Sequence, residues 1–236
     1  MTQNLNIPLT LKMRAGIHKG RNNAHELMTV VQEWGSNRIG AVTVHGRTRE
    51  QRYTKLADWN YIGRCAQIIH SDDLLRDIPI FGSGDVMSHE EYFDVIQKSN
   101  VDGVMFARGA LIKPWIFTEI KERRTWDISS NERFDILKKY TNYGLEHWGS
   151  DSHGVEKTRR FMLEWLSFLY RYIPVGLLER IPQRINERPA KYFGRNDLET
   201  LMVSGSCNDW ITISEMLLGK VPDGFTFYPK HRANAY

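Results

Sequence analysis

The sequence predicts an α/β domain followed by an all-α domain, and three observations carry that reading. Short β-branched, apolar runs alternate with helical patterns four times in the first 124 residues. Several of those runs end in polar or glycine-rich loops of similar design. Beyond residue 125 the apolar residues recur at helical spacing, with no further strand-like runs. Alternation of the first kind argues for right-handed βαβ units and a parallel sheet.

The first unit is a strand over Leu9–Arg14, carrying Lys12 near its end, followed by a helix from about Asn23 to Trp34. The second strand, Ile39–Val44, is apolar enough to be buried on both faces and delivers His45 to its carboxyl end. It runs into Gly46-Arg47-Thr48-Arg49-Glu50-Gln51-Arg52-Tyr53, ahead of a helix from about Trp59 to His70. Active sites of parallel α/β barrels are built from the loops at that end of the strands. A histidine there can also simply cap a loop, and arginines are usually solvated, but recurrence of the layout favours a site. The third strand, Ile78–Phe81, leads into Gly82-Ser83-Gly84-Asp85, and Ser88 to Glu91 forms a capping-box pattern for a helix near Glu90–Lys98. The fourth strand, Val101–Phe106, leads into Ala107-Arg108-Gly109-Ala110 and a last helix.

The last two loops are suited to a phosphate. Gly82 and Gly84 lack the Cβ atoms that keep an anion off the backbone, and Arg108 supplies a fixed, bidentate cation. In complete barrels a phosphate commonly sits between the loops after the seventh and eighth strands.

These residues resemble the FMN-dependent tRNA-dihydrouridine synthases, and within them the eukaryotic subfamily that acts at nucleotide 47. Lys12 in Leu11-Lys12-Met13-Arg14, His45 in Val44-His45-Gly46-Arg47, Ser83-Gly84-Asp85 and Ala107-Arg108 each match a family FMN-contact motif. The run Arg49 to Trp59, the stretch Gly154 to Phe161, and Arg184-Ile185-Asn186-Glu187-Arg188-Pro189 are similar to the subfamily's own sequences, so the resemblance covers nearly the whole chain. It implies FMN bound by Lys12, His45, Ser83, Gly84, Asp85, Ala107 and Arg108, NADPH as reductant, and uridine in tRNA as substrate. Arg47, Arg49 and Gln51 are then expected to contact the nucleotide or neighbouring phosphates.

Departures from the family pattern matter equally. Members have eight barrel strands and a catalytic cysteine in the half before the lysine strand. Here neither Cys65 nor Cys207 follows a barrel strand, so the expected cysteine is absent and both thiols read as structural. No Cys/His cluster has metal-ligand spacing, so no metal is expected. A full barrel needs about 200–250 residues, whereas the four βα units end near Glu122 of 236. The expectation is therefore the second half of a (β/α)8 TIM barrel over 1–124, joined to a helical tRNA-binding domain with an irregular tail over 125–236, inactive by itself. A half-barrel exposes two sheet edges, which invites self-association.

In the distal part, Ser129 and Glu132 form a second capping-box pattern before a helix through about His147. A helix from roughly Val155 to Tyr172 follows, ended by Pro174, then shorter helices near Leu177, Leu198 and Asp209–Leu218. From Lys157 to Arg195 nine basic residues face three acidic ones, a local +6 in a chain whose net charge is +4. That suits a phosphate backbone read mainly by shape, with Lys157, Arg159, Arg160, Arg184 and Arg188 as RNA contacts. Phe161, Trp165, Phe168 and Tyr172, at helical spacing, are expected in the core. The amino terminus, Met1-Thr2-Gln3-Asn4, begins no charged-then-apolar signal, and no long apolar stretch occurs, which predicts a cytoplasmic or nuclear protein without a membrane partner. Two other classes fit part of these features: a different FMN- or phosphate-binding barrel enzyme, which has no need of the basic helical domain, and a non-catalytic RNA-binding remnant.

Overall fold

A computed structural model describes residues 6–34, 38–51, 53, 55–188 and 190–230. Arg52, Thr54 and Pro189 of the motifs above, and Met1–Asn4, lie outside the described residues. The chain divides into two compact units, one of residues 1–110 and 116–124, the other of 111–115 and 125–236.

The first unit holds a four-stranded parallel sheet in the order β1-β2-β3-β4, with β1 Leu9–Gly16, β2 Ile39–Thr48, β3 Ile80–Ser83 and β4 Gly103–Met105. Helices α1 (Ala24–Met28), α2 (Trp59–Ser71), α3 (His89–Ser99) and α5 (Ile116–Glu122) follow the strands in turn, and α4 (Arg108–Ile112) begins in this unit, with its last two residues assigned to the other. The α2 stripe Ile62, Cys65, Ala66 and Ile69, at i, i+3, i+4 and i+7, is fully buried in the core with Val42, Val44 and Ile80. Asp58 caps α2 by accepting the Tyr61 N–H at 2.9 Å.

Register fixes what shares a face. Met13, Val44, Gly82 and Val104 lie across from one another, and a Cβ on Gly82 would sit 2.2 Å from the Trp59 ring, so this face packs on α2. Side chains alternate along a strand, so Lys12, Arg14, Thr43, His45, Phe81, Ser83 and Met105 share the opposite face.

Several boundaries differ from expectation. β2 continues past Val44 to Thr48 because β1 follows it to Gly16, with an irregularity after Arg14, and the Arg49 N–H still donates to the Gly16 carbonyl at 2.9 Å. β3 likewise starts later and takes in Gly82 and Ser83, and β4 is shorter than the apolar run around it. The helix expected over Asn23–Trp34 breaks into α1 and a 3₁₀ turn at Val31–Trp34. The break falls at β-branched Thr29-Val30-Val31, where the Thr29 hydroxyl bonds back to the Glu26 carbonyl at 2.7 Å. At α3 only half of the expected capping box forms: Ser88 accepts from the Glu91 N–H, but the Glu91 carboxylate accepts from Met87 N–H.

The second unit is helical, with α6 Ser130–Trp148, α7 Ser152–Leu169, α8 Asp197–Val203 and α9 Cys207–Leu218, plus a 3₁₀ turn at Val175–Leu177. Ser129 and Glu132 form the complete capping box of α6. α7 begins three residues before Val155 because Asp151 caps it, accepting from the Gly154 N–H at 2.8 Å. Its buried stripe is Met162, Leu163, Leu166 and Leu169, packed beside Thr158 and Arg159. The expected aromatic core is thereby corrected: Tyr172 is buried against Trp115, Trp165 and Phe168 are half-buried, and Phe161 is 50% exposed. An aliphatic arc one residue away takes the inward position. No described helix is long and apolar enough to cross a membrane.

Candidate anion-binding site

The longer β2 places His45 and Arg47 on one face of the same strand, two residues apart. Arg47 is 1% exposed. Its Nε donates to the Lys55 carbonyl at 2.7 Å, one terminal nitrogen lies 3.3 Å from His45 Nε2, and the other donates to Asp85 Oδ2. Oδ2 also accepts the Ala57 N–H at 2.8 Å, while Oδ1 accepts from Arg108 at 2.9 Å. One carboxylate thus ties two guanidinium groups and the loop after β2 into a single cluster. Asp85 reaches this position from a left-handed backbone, φ 45°. The Arg108 guanidinium carbon lies 4.0 Å from the centre of the Tyr53 ring, a cation–π contact that closes the cluster on its outer side. Arg14 donates to the Thr48 carbonyl at 2.9 Å and stands opposite His45 in the register.

Arginine has no acceptor, so His45 Nε2 must receive the Arg47 N–H, which leaves the ring proton on Nδ1 as the donor available to a ligand. Burial, then the Arg14, Arg47 and Lys12 cations, lower the His45 pKa to about 4, with Asp85 opposing. His45 is therefore a neutral hydrogen-bond donor at pH 7. Because its ordinary value is 6.5, the unfolded chain binds a proton between about pH 6.5 and 4 that the folded chain refuses. The stability from this group is present above pH 6.5 and lost as pH falls toward 4. Urea unfolding of wild type and His45→Gln over that range is expected to show a steeper acid loss for wild type; parallel curves would remove the depressed pKa.

Several residues expected to meet a ligand serve the fold instead. Arg47 is not a surface contact for a nucleotide; it is buried and its donors serve the fold. The Asp85 carboxylate holds Arg47 and Arg108 and is not itself an anion ligand. The glycines are set by packing: a Cβ on Gly84 would lie 2.2 Å from the Ala57 Cβ, and one on Gly109 2.3 Å from the Val86 carbonyl. Lys12 is exposed on the face it shares with His45 and buried Ser83, Arg49 and Ala107 are exposed, and Gln51 is half-buried, with its backbone N–H on Thr48 Oγ1 at 3.2 Å. Arg14 and Tyr53 join the cluster without any motif that marks them as site residues. The only signal for them is their place near the strand ends.

Neither thiol shows activation. Cys65 is fully buried and its pKa is pushed up to about 11 by that burial, and burial also raises Cys207. Among the described residues no group of acidic, histidine or cysteine side chains could hold a metal.

In the second unit, Lys157, Arg160, Arg184 and Arg188 are exposed, as RNA contacts require. Arg159 is not: it is 0% exposed, donating to Glu156, to the Ser214 hydroxyl at 2.8 Å, and to the Leu218 and Gly219 carbonyls at 3.2 and 2.9 Å. It caps the carboxyl end of α9 from within, so the RNA contact expected of it is withdrawn.

A cationic cluster at the carboxyl ends of a four-stranded parallel sheet, with one carboxylate spent on orienting two arginines, marks an α/β protein suited to an anionic ligand and compatible with part of a TIM barrel. More narrowly, the chain belongs to the dihydrouridine synthase (Dus) family, which it matches over residues 1–167. It is 61% identical over its whole length to a tRNA-dihydrouridine(47) synthase-like protein of Xenopus tropicalis, and 61% identical to the Homo sapiens counterpart, covering 35% of each. A tRNA-dihydrouridine(47) synthase of Cryptococcus neoformans is 57% identical over 234 residues, 98% of this chain and 32% of the relative. The chain thus spans about a third of the length of the curated relatives it matches. The names of these relatives specify NAD(P)(+).

Proposed function

We propose that this chain is the carboxyl-terminal half of a flavin barrel, with its RNA-binding helical part, from an enzyme that reduces uridine to dihydrouridine in tRNA using FMN and NADPH. The observation that carries the reading is the cluster of Lys12, Arg14, Arg47 and Arg108 around one carboxylate and a neutral His45. An anionic cofactor fits that charge balance. FMN, when bound, supplies the hydride that reduces the uracil ring, and NADPH restores it.

This chain's residues hold and orient. Arg108, kept in place by Asp85 and Tyr53, offers the cation for the phosphate, with Ser83 and the backbone of Gly84 and Ala107 beside it. Lys12 would supply positive charge to the flavin ring, and His45 Nδ1–H would donate to the ring or the uracil. Arg49 and Gln51 would contact the substrate nucleotide, while Lys157, Arg160, Arg184 and Arg188 would neutralise RNA phosphates. Proton donation to the uracil is assigned to a cysteine of the amino-terminal half, so the chain alone is inactive; loss of a general acid typically costs about 10² to 10⁴-fold.

A chimera joining the amino-terminal part of the Xenopus tropicalis relative to this chain tests the reading. With FMN and NADPH it should form dihydrouridine on unmodified tRNA, whereas the chain alone should form none. Product from the chain alone, or none from a folded chimera that retains flavin, would refute it. In the chimera Arg108→Glu is expected to shed FMN, since repulsion replaces attraction at the phosphate, which flavin absorbance after desalting reports.

The same reading implies self-association of the chain. β1 and β4 each pair with one neighbour among the described residues, which leaves two edges of unpaired backbone groups. Light scattering is expected to show dimers or larger species; a monodisperse monomer opposes this.

A further inference from the structure

The basic residues of α7 do not stand alone. Between α7 and the tail segment 225–230 lies a cavity of about 290 Å³, lined by Phe161, Phe227 and Tyr228 together with Lys157, Arg160 and Lys230. Two of its aromatic rings are left to solvent, Phe161 at 50% and Tyr228 at 74% exposure, while Phe227 is buried against Trp210. Phe161 lies flat on Trp148 with 4.9 Å between ring centres and 11° between planes, so a two-ring stack already leads to the cavity. The Lys157 ammonium sits 5.7 Å from the Trp148 ring centre, and the Arg160 guanidinium carbon 5.2 Å from that of Phe225. Glu164 also lines the cavity, and its carboxylate receives the Lys230 N–H at 3.2 and 3.3 Å, which ties the tail to α7. Three cations and one carboxylate leave a net positive rim.

We propose that this groove is a subsite for one unpaired nucleobase of RNA, stacked against Phe161 and bordered by Tyr228, with Lys157, Arg160 and Lys230 holding the flanking phosphates. The proposal rests on the tRNA reading above and adds the form of RNA recognised. Unpaired bases are read by stacking on aromatic rings beside a positively charged track for the backbone, and the groove offers both within a few residues. An acidic peptide would use the cations but has no need of two exposed rings, one of them already stacked on Trp148. Paired duplex RNA offers phosphates but keeps its bases out of reach.

A nine-residue oligouridylate carrying one 2-aminopurine, whose fluorescence falls on stacking, tests this with the 236-residue chain. Wild type should quench the probe on binding. Phe161→Leu keeps apolar bulk but removes the ring face; it should abolish the quench and weaken binding about tenfold or more, whereas Phe161→Tyr should retain both. Lys157→Ala with Arg160→Ala should weaken binding, keep the quench at saturation, and make the salt slope shallower by about 1.4, the single-strand value for two contacts. Equal quench and affinity in Phe161→Leu, no binding of the oligonucleotide, or displacement by polyglutamate as effective as by RNA would each overturn the subsite. Dihydrouridine formation by the chimera is read separately, so the subsite can fail while the uridine-reduction reading stands.

Discussion

Asp85→Ala is expected to destabilise the first unit by about 3–5 kcal/mol, the usual cost of removing one partner from a buried ion pair. Arg47 and Asp85 have side chains 1% and 7% exposed, and the alanine would leave the Arg47 charge out of water without its counter-ion. The Ala57 N–H and one terminal N–H of Arg108 lose the Asp85 acceptor in the same step. Stability alone does not separate this from a generic core defect, so the informative comparison is Arg47→Met with Asp85→Ala. With both charges gone the uncompensated guanidinium is gone too, and much of the loss should return. Arg108 would still lack its Asp85 anchor, so retention of an anionic ligand should not recover fully. Denaturant melts with phosphate or FMN titrations check both halves; a single mutant as stable as wild type would show that the pair is not needed to hold Arg47 in the fold.

Arg159→Ala should cost the second unit a similar amount, about 3–5 kcal/mol. The guanidinium donates to the Ser214 hydroxyl and to two carbonyls at the carboxyl end of α9, and its removal takes the donor from these buried acceptors. A positive charge at a helix carboxyl terminus is also favoured by the helix dipole. Arg160→Ala, one residue away and exposed, should leave the melting temperature within error and act only on RNA affinity. If Arg159→Ala melted like wild type and reduced tRNA binding as much as Arg160→Ala, the internal cap would have to be given up in favour of a surface role. Charge reversal at both positions together is therefore a poor probe of RNA binding, because it would unfold the helices that present Arg160.

Strands and helices alternating in the first 124 residues, the capping serine of α6 and the cationic ends of the strands were all legible from residue order. They depend on interactions within a few residues: period-2 and period-3.6 patterns, and side chains reaching backbone N–H groups three positions on. The family motifs were legible for the same reason, since each is a contiguous run. The basic stretch from Lys157 to Arg195 was visible as composition, but composition does not say which way a side chain points. Arg159 and Arg160 are adjacent in the chain and lie about 100° apart around α7, so one is sealed under α9 and the other meets solvent.

The tertiary structure alone decided which polar residues serve the fold and which remain for a ligand. Asp85 and Arg108 are 23 residues apart and Arg47 and Asp85 are 38 apart; only the parallel register of β2, β3 and β4 brings them together. Gly82 and Gly84 read as an anion cradle in the sequence, yet Trp59 and Ala57, 23 and 27 residues earlier in the preceding βα unit, occupy the space a Cβ would need. Phe161 looked like core by its spacing, yet the inward arc of α7 was taken by aliphatic neighbours and its ring was left beside Trp148 and the tail. Local pattern determines which element forms and what chemistry it carries. Burial, which raises the cost of an unpaired charge from slight to several kcal/mol, is a property of what the rest of the chain places beside it.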